Sequence, residues 1–181
     1  TSTGFSELVI PEIPISGLAV DGQQHLYINS RGKLAKYTGD LALIWEKPLH
    51  TPEQTGLCLL QDGGLITTIA ETGALCKYTA QGDLDLTFGT DGLLQVSDGP
   101  IGHPQLVQQA WPAQHDQQIL YNHGLYVACY QEGVIKRLSD NGQTIETVMT
   151  GPAGLTSPLL AVTPQYLYVG DETGGYIRLI E

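Results

Sequence analysis

Apolar and polar positions alternate along this chain in short runs, each closed by Gly, Asp or Asn, which is the two-residue period of half-buried strands joined by tight turns. A Gly followed by alternating apolar positions and then a basic residue occurs four times. The copies are Gly32-Lys-Leu-Ala-Lys36-Tyr37, Gly73-Ala-Leu-Cys-Lys77-Tyr78, Gly133-Val-Ile-Lys-Arg137-Leu138 and Gly174-Gly-Tyr-Ile-Arg178-Leu179. Their Gly-to-Gly spacings are 41, 60 and 41, so the middle interval holds one period and 19 further residues.

Each basic strand follows an apolar one: Leu26-Tyr-Ile28, Leu65-Ile-Thr67, Leu125-Tyr-Val127 and Leu167-Tyr-Val169. Before those come Gly17-Leu-Ala-Val20, Gly56-Leu-Cys-Leu59, Ile119-Leu-Tyr121 and Leu159-Leu-Ala-Val162. Asp21-Gly22, Asp62-Gly63 and His123-Gly124 between them are residue types that tolerate the positive φ of a hairpin turn. Gly39-Asp-Leu41 and Gly82-Asp-Leu84 then lead to Trp45 and Phe88, and Asn141-Gly142 opens the matching turn of the third unit, which predicts a fourth strand.

Four antiparallel strands repeating every 41 residues have the period of a β-propeller blade. The expected architecture is all-β, a single propeller domain over 1–181 built from four four-stranded antiparallel blades. Its units run over about 16–50, 54–97, 117–150 and 154–181, with an insertion within about 89–118. A β-sandwich also needs short strands, but it does not predict a basic residue recurring at a 41-residue interval. The last unit stops at its third strand, so the apolar segment 5–10 is expected to supply the fourth and close the ring. The competing expectation is a larger ring, completed by a second copy or belonging to a longer chain.

Composition narrows the function classes. The 181 residues include 22 Gly and 10 Pro, with 41% hydrophobic and 15% charged, which suits one globular domain of strands and turns. Eight Lys and Arg against 19 Asp and Glu give a net charge of -11, which repels nucleic acid and anionic membrane surfaces. No apolar run approaches the roughly 18 residues that span a bilayer, so a soluble protein with no membrane insertion is expected. The chain begins at Thr1 with no charged n-region or apolar h-region, so any signal sequence is expected to have been removed or never to have existed. The compartment stays open, a bacterial secreted or periplasmic one included.

The units resemble NHL and gluconolactonase-like propeller repeats, through Gly17-Leu-Ala-Val-Asp-Gly22 with Leu26-Tyr-Ile28, and Leu167-Tyr-Val169 with Tyr176-Ile-Arg178. Gly82-Asp-Leu-Asp-Leu-Thr-Phe-Gly-Thr-Asp-Gly92 resembles the delta-sixty repeat of bacterial propeller-like proteins. The first resemblance implies a metal-dependent lactonase whose Glu, two Asn and Asp converge on a divalent cation. Asn29, Asn122 and Asp171 are the nearest candidates here, but the Glu-Gly-Pro and Pro-Asn-Gly-Leu motifs are absent. No metal or other cofactor is therefore expected, calcium being the ion that the resemblance implies.

Of the five His residues, His25, His50, His103, His115 and His123, none belongs to a metal-ligand or nucleophile motif, and no catalytic residue is assigned. Cys58, Cys76 and Cys129 align with Ala19, Ala35 and Ser30 of the first unit, which predicts packing. Lys36, Lys77, Arg137 and Arg178 are expected to pair with neighbouring carboxylates, and Tyr27, Tyr126 and Tyr168 to pack between blades. The insertion concentrates Pro100, Pro104, Pro112, His103, Trp111, His115 and Asp116, and insertions between repeats often map to the binding face. The expected function is a non-enzymatic binding or scaffold propeller that recognises a protein or glycan through His103, Trp111, His115 and Asp116. The alternative is a calcium-dependent lactonase- or esterase-like hydrolase, and the expected state is a monomer or a homodimer completing a larger ring.

Overall fold

The computed structural model describes residues 14–30, 32–60, 62–69, 71–98, 107–108, 125–129, 132–139, 142–150, 158–162, 167–171 and 177–180. These residues form four antiparallel sheets and no helix. The first sheet contains β1 (Ile15–Val20), β2 (Leu26–Ser30), β3 (Lys33–Tyr37) and β4 (Leu43–Pro48). The second contains β5 (Gln54–Leu59), β6 (Leu65–Ile69), β7 (Ala74–Tyr78) and β8 (Leu93–Gln95). β9 (Val107–Gln108), β10 (Leu125–Cys129), β11 (Val134–Leu138) and β12 (Ile145–Thr150) form the third, and β13 (Pro158–Val162), β14 (Leu167–Asp171) and β15 (Ile177–Ile180) the fourth. Within each sheet the strands follow chain order. β1 packs against β5, β5 against β9 and β9 against β13, so the first strands are neighbours along the inner side of the array. Segment 5–10, expected to close the ring, lies outside the described residues.

Alternation decides which residues face which neighbouring sheet. Ala19, Tyr27, Leu34 and Trp45 turn toward the second sheet and meet Leu57, Leu59, Leu65, Ile69, Cys76 and Tyr78 in one cluster. The Tyr27 and Trp45 rings stand edge to face, 6.3 Å apart. The opposite face of the second sheet, with Cys58, Ile66, Leu75 and Leu94, meets Leu125, Val127, Cys129 and Leu138 of the third. β1 and β5 approach so closely that a Cβ on Gly17 would lie 2.7 Å from the Leu57 Cβ, which leaves glycine as the residue that fits. Asn29 Nδ2 ties the same junction, donating to the carbonyls of Gln54 at 3.3 Å and Gly56 at 2.9 Å.

Gln54, Thr67 and Tyr78 inside the first junction are paired with one another. Gln54 Oε1 accepts from Thr67 Oγ1 and from the Tyr78 hydroxyl, each at 2.7 Å, and Tyr78 Oη accepts the His50 N–H at 2.8 Å. Burial pushes the Tyr78 hydroxyl up to about 12. The cysteines behave as aligned: all three are free and buried, and the register places Cys58, Cys76 and Cys129 at the positions of Ala19, Ala35 and Ser30. Burial raises the thiols of Cys76 to about 12 and of Cys129 to about 11, so neither is poised as a nucleophile.

The turns before the fourth strands share a device that the Gly-Asp reading missed. Thr38, Thr79 and Ser139 each accept, at the side-chain oxygen, the backbone N–H of Ala42, Asp83 and Thr144. With that hydroxyl holding the turn, the first unit places Leu41 rather than Gly39 in the left-handed region, at φ 64. Likewise Gln24, not Gly22, takes positive φ in the first hairpin, because the Asp21 carboxylate fixes the turn by accepting the Gln23 and His25 N–H groups.

Three further expectations are corrected. Phe88 does not correspond to Trp45: Leu84 makes one bridge to Tyr78, the chain then turns through Asp85–Gly92, and the fourth strand begins at Leu93. The strand bordering β10 is Val107–Gln108 rather than Ile119–Tyr121, which lies outside the described residues. Both segments carry strand-like residues, and a hairpin loop can lengthen at small entropic cost, so spacing alone chose the wrong one. Extra chain therefore falls partly inside the third unit, in the β9–β10 connection. Arg178 pairs with Val169, whereas Lys36, Lys77 and Arg137 sit opposite Tyr27, Ile66 and Tyr126. The register position that the three other basic residues share is thus held in the fourth unit by Leu179, one residue along from Arg178.

Candidate functional site

The β1–β2 hairpin and the corresponding loops of later sheets lie at one end of the array. There Asp21 acts as a hub. Its Oδ1 accepts the N–H groups of Gln23 at 2.9 Å and His25 at 2.8 Å, while Oδ2 accepts His25 Nδ1–H at 2.8 Å and the Tyr27 hydroxyl at 3.1 Å. Lys36 Nζ lies 3.9 Å from the same oxygen and over the Tyr27 ring, 4.9 Å from its centre. Burial works to raise the Asp21 pKa, but the hydrogen bonds from His25, Gln23 and Tyr27 outweigh it and hold the carboxyl at about 2 against an ordinary 3.8. The Asp21 carboxylate holds the His25 ring through Nδ1, an arrangement that orients a histidine for proton transfer.

The second unit replaces this hub with an ion triad. Lys77, nearly buried, stands 3.2 Å from Asp62 Oδ2 and 3.6 Å from Asp85 Oδ2. Hydrogen bonds from Thr87, its N–H at 3.1 Å and its hydroxyl, lead in lowering the Asp85 pKa, and Lys77 adds to that. In the third unit Arg137 donates to Glu146 at 2.8 Å, and Lys136 pairs with Glu132 at 2.7 Å. Hydrogen bonds from Lys136 and then Ser97 lower the Glu132 carboxyl. Pairing with neighbouring carboxylates is thus what the recurring cations of the first three units do.

The folded-state depression at Asp21, Asp85 and Glu132 sets the acid behaviour. Each carboxylate contributes stability that is present above its unfolded pKa and lost as pH falls through the folded one. Stability should stay level down to about pH 4 and decline toward about pH 2. Asp21→Asn is expected to cost about 2 kcal/mol at pH 7, because an amide oxygen accepts these donors more weakly than a carboxylate does, and to flatten that acid limb. Urea unfolding of both proteins between pH 2 and 7 measures this, and parallel acid limbs would contradict it.

His103, Trp111, His115 and Asp116 all lie outside the described residues. Sequence reading passed over His25 because it completes no motif; its closeness to the Asp that opens the same turn was the available signal. Among the described residues no group of three or more His, Cys, Asp and Glu could hold a metal ion. Of the cation candidates, Asn122 lies outside the described residues and Asn29 commits its amide nitrogen to two carbonyls. The buried Asn29 Oδ1 has no donor, but one neutral oxygen falls short of the roughly six to eight that calcium takes.

No family model matches the chain, and no curated protein matches it in sequence. Solved structures do match. Selenomethionine-substituted virginiamycin B lyase from Staphylococcus aureus superposes with a TM-score of 0.60 at 16% identity, covering 92% of this chain and 55% of that one. A streptogramin B lyase gives 0.63 at 15% identity, covering 95% and 56%. A catalytically inactive histidine-to-alanine variant of the Staphylococcus aureus enzyme, with quinupristin, gives 0.50 at 14% identity, covering 97% and 73%. The chain thus spans just over half the length of the first two. At these identities the likeness establishes the fold: this chain is an all-β array of antiparallel blades of the β-propeller class.

Proposed function

We propose that this chain is a non-catalytic propeller module that recognises a protein partner through the loop end. The observation that carries the reading is the exposure of Ile44, Leu86 and Ile145, at 45%, 66% and 42%. One such residue stands at, or shortly before, the outermost strand of each of the first three sheets. Around them the charged groups are held in internal pairs, so the rim is stiff and its apolar members are the groups left to contact a partner. Apolar anchors beside a fixed polar surround suit a protein interface better than a glycan site. Leu86→Glu with Ile145→Glu should abolish cross-linking to a partner in cells of the source while leaving the melting temperature within about 2 °C of the parent. Capture that survives both substitutions would reject the reading.

The Asp21–His25 pair favours a second reading, an enzyme that uses His25 as a base. The catalytically inactive histidine variant of the related lyase shows that a propeller of this type can depend on one histidine. Cleavage of a lactone or cyclic ester, tested with and without calcium and lost in His25→Ala, would put this reading in place of the first.

A further inference from the structure

We propose that the partner of the loop end is a Lys- or Arg-rich protein segment whose apolar side chains seat on Leu86 and Ile145. This deepens the reading of those two residues as anchors and rests on it. The observation behind it is where the positive charge of the chain goes. Lys33, Lys36, Lys47, Lys77, Lys136 and Arg137 each lie 2.7–3.9 Å from a carboxylate oxygen of the chain itself. A cation held in that way is neutralised in place and adds little to the outward field. With 8 Lys and Arg against 19 Asp and Glu, the pairing exhausts the cations before the carboxylates. Among the described residues, Asp40, Glu53, Glu71, Asp91 and Asp98 are exposed, and their carboxylates take no hydrogen bond or ion pair. The charge left uncompensated on this surface is therefore negative.

Position separates these carboxylates into two groups. Asp40 lies in the β3–β4 turn and Asp91 in the turns between Asp85 and Gly92. Strand direction alternates within each sheet, so both open at the end that carries the β1–β2 hairpin. Glu53 follows β4, Glu71 lies in the β6–β7 turn and Asp98 follows β8, all at the opposite end. Outside the paired surround of the apolar rim, then, Asp40 and Asp91 are fixed negative charges at turn tips. Asp40 stands four residues before exposed Ile44, and Asp91 five residues after exposed Leu86. Both turns are pinned by backbone hydrogen bonds. Around Asp40 the Leu41 N–H donates to the Thr38 carbonyl at 2.9 Å and the Ala42 N–H to Thr38 Oγ1 at 3.0 Å. Around Asp91, Thr90 and Leu93 exchange bonds at 2.7 and 3.0 Å. Neither carboxylate must leave an internal partner, and neither backbone must be ordered, to meet an incoming cation, which lowers the cost of association. The net charge of -11 adds long-range steering toward a cationic segment and works against an acidic one.

Fluorescence anisotropy on the whole chain tests this with a labelled peptide that alternates Lys and Leu between Ser spacers, and with its Glu-for-Lys counterpart. The Lys peptide should bind with an affinity that falls as salt rises, and the Glu peptide should not bind. Asp40→Asn with Asp91→Asn should weaken the Lys peptide about fivefold or more. Both carboxylates are unpartnered, and asparagine accepts the φ of 52 at position 91, so the variant keeps its turns. Glu53→Gln with Glu71→Gln removes the same amount of charge from the opposite end and should change the affinity by less than about twofold. Leu86→Ser with Ile145→Ser should also weaken binding, with the charge unaltered. Equal weakening from the two ends would overturn the proposal, because a diffuse acidic field would then account for the binding. Glu-peptide binding as tight as that of the Lys peptide, or no binding of the Lys peptide, would overturn it too. None of these outcomes bears on the cross-linking lost in Leu86→Glu with Ile145→Glu, which tests the anchors against the native partner, so the two readings fail separately.

Discussion

Phe88→Ala is expected to destabilise the folded chain by about 3–5 kcal/mol, the largest loss of any single side chain proposed here. The ring is 1% exposed and lies in the cluster of Leu94, Val96, Leu125 and Leu138 that joins the second sheet to the third. It also fills the space beside Gly142, where a Cβ would come within 2.5 Å of it, so its removal opens a void at a junction between two sheets rather than inside one. Backbone on both sides is pinned: the Phe88 N–H donates to the Asp85 carbonyl at 3.1 Å, and Gly142 closes the β11–β12 turn onto Ser139. Neither side can collapse to fill the gap, which puts the cost at the upper end of the large-to-small range. Guanidinium unfolding measures it, with Leu86→Ala two residues away as an exposed control expected within about 0.5 kcal/mol of the parent. A Phe88→Ala cost below about 1 kcal/mol would show that the ring does not bridge the two sheets.

Gly89→Ala is expected to cost about 3 kcal/mol or more, from two sources that can be separated. Gly89 has φ 59, and an alanine in that region costs about 1–2 kcal/mol in backbone strain. The larger source is collision: its Cβ would lie 2.0 Å from the Leu93 carbonyl oxygen. Because the obstacle is backbone, relief means displacing Leu93, which exchanges hydrogen bonds with Thr90 at 2.7 and 3.0 Å and begins β8. Gly133→Ala isolates the first source, since Gly133 has φ 63 and open space around it. Calorimetric melts should show the Gly89 variant falling well below the Gly133 variant, and equal melting temperatures would refute the collision.

Phe88 and Gly89 also show why a motif can be recognised before its structure is understood. The string from Gly82 to Gly92 stood out as a repeat-like unit, and its aromatic was aligned with Trp45 as part of a fourth strand. In the folded chain its parts form a compact pair of turns: Asp85 accepts from Thr87, Phe88 enters the core, and Thr90 pairs with Leu93. Trp45 instead lies within β4, paired to Lys36. Phe88 is buried and Trp45 half-buried against a neighbouring sheet, and burial is what spacing registers. Whether the backbone there is extended or turned depends on hydrogen bonds between residues that spacing does not connect.

The candidate site divides the same way. Pairing of Lys36, Lys77 and Arg137 with carboxylates followed from a basic position recurring in an acidic chain. The partners did not: Asp21, Asp62 and Asp85 reach Lys36 and Lys77 from turns whose conformations rest on their own N–H contacts, and Glu146 reaches Arg137 from β12. His25 carries no motif, and its place on the Asp21 carboxylate arises because a five-residue turn folds the ring back over the residue that opens it. His103, Trp111, His115 and Asp116 were singled out by composition and lie beyond the described residues, so the candidate site rests on the hairpin ends of the first three sheets.

Alternation with period two and a 41-residue recurrence were enough to determine that this chain is all-β, that its units are meanders of antiparallel strands, and which side chains, the three cysteines among them, pack rather than react. Those properties follow from local periodicity and from the size of each side chain, and both are written residue by residue. Only the tertiary structure decided that Val107–Gln108 borders β10, that Arg178 is out of step with the other three cations, and that Leu18 and Val20 are open while their counterparts Leu57 and Leu59 are packed. Strand pairing and sheet packing are contacts between distant segments with similar propensities, and the choice among them rests on which arrangement buries more apolar surface with its hydrogen bonds satisfied.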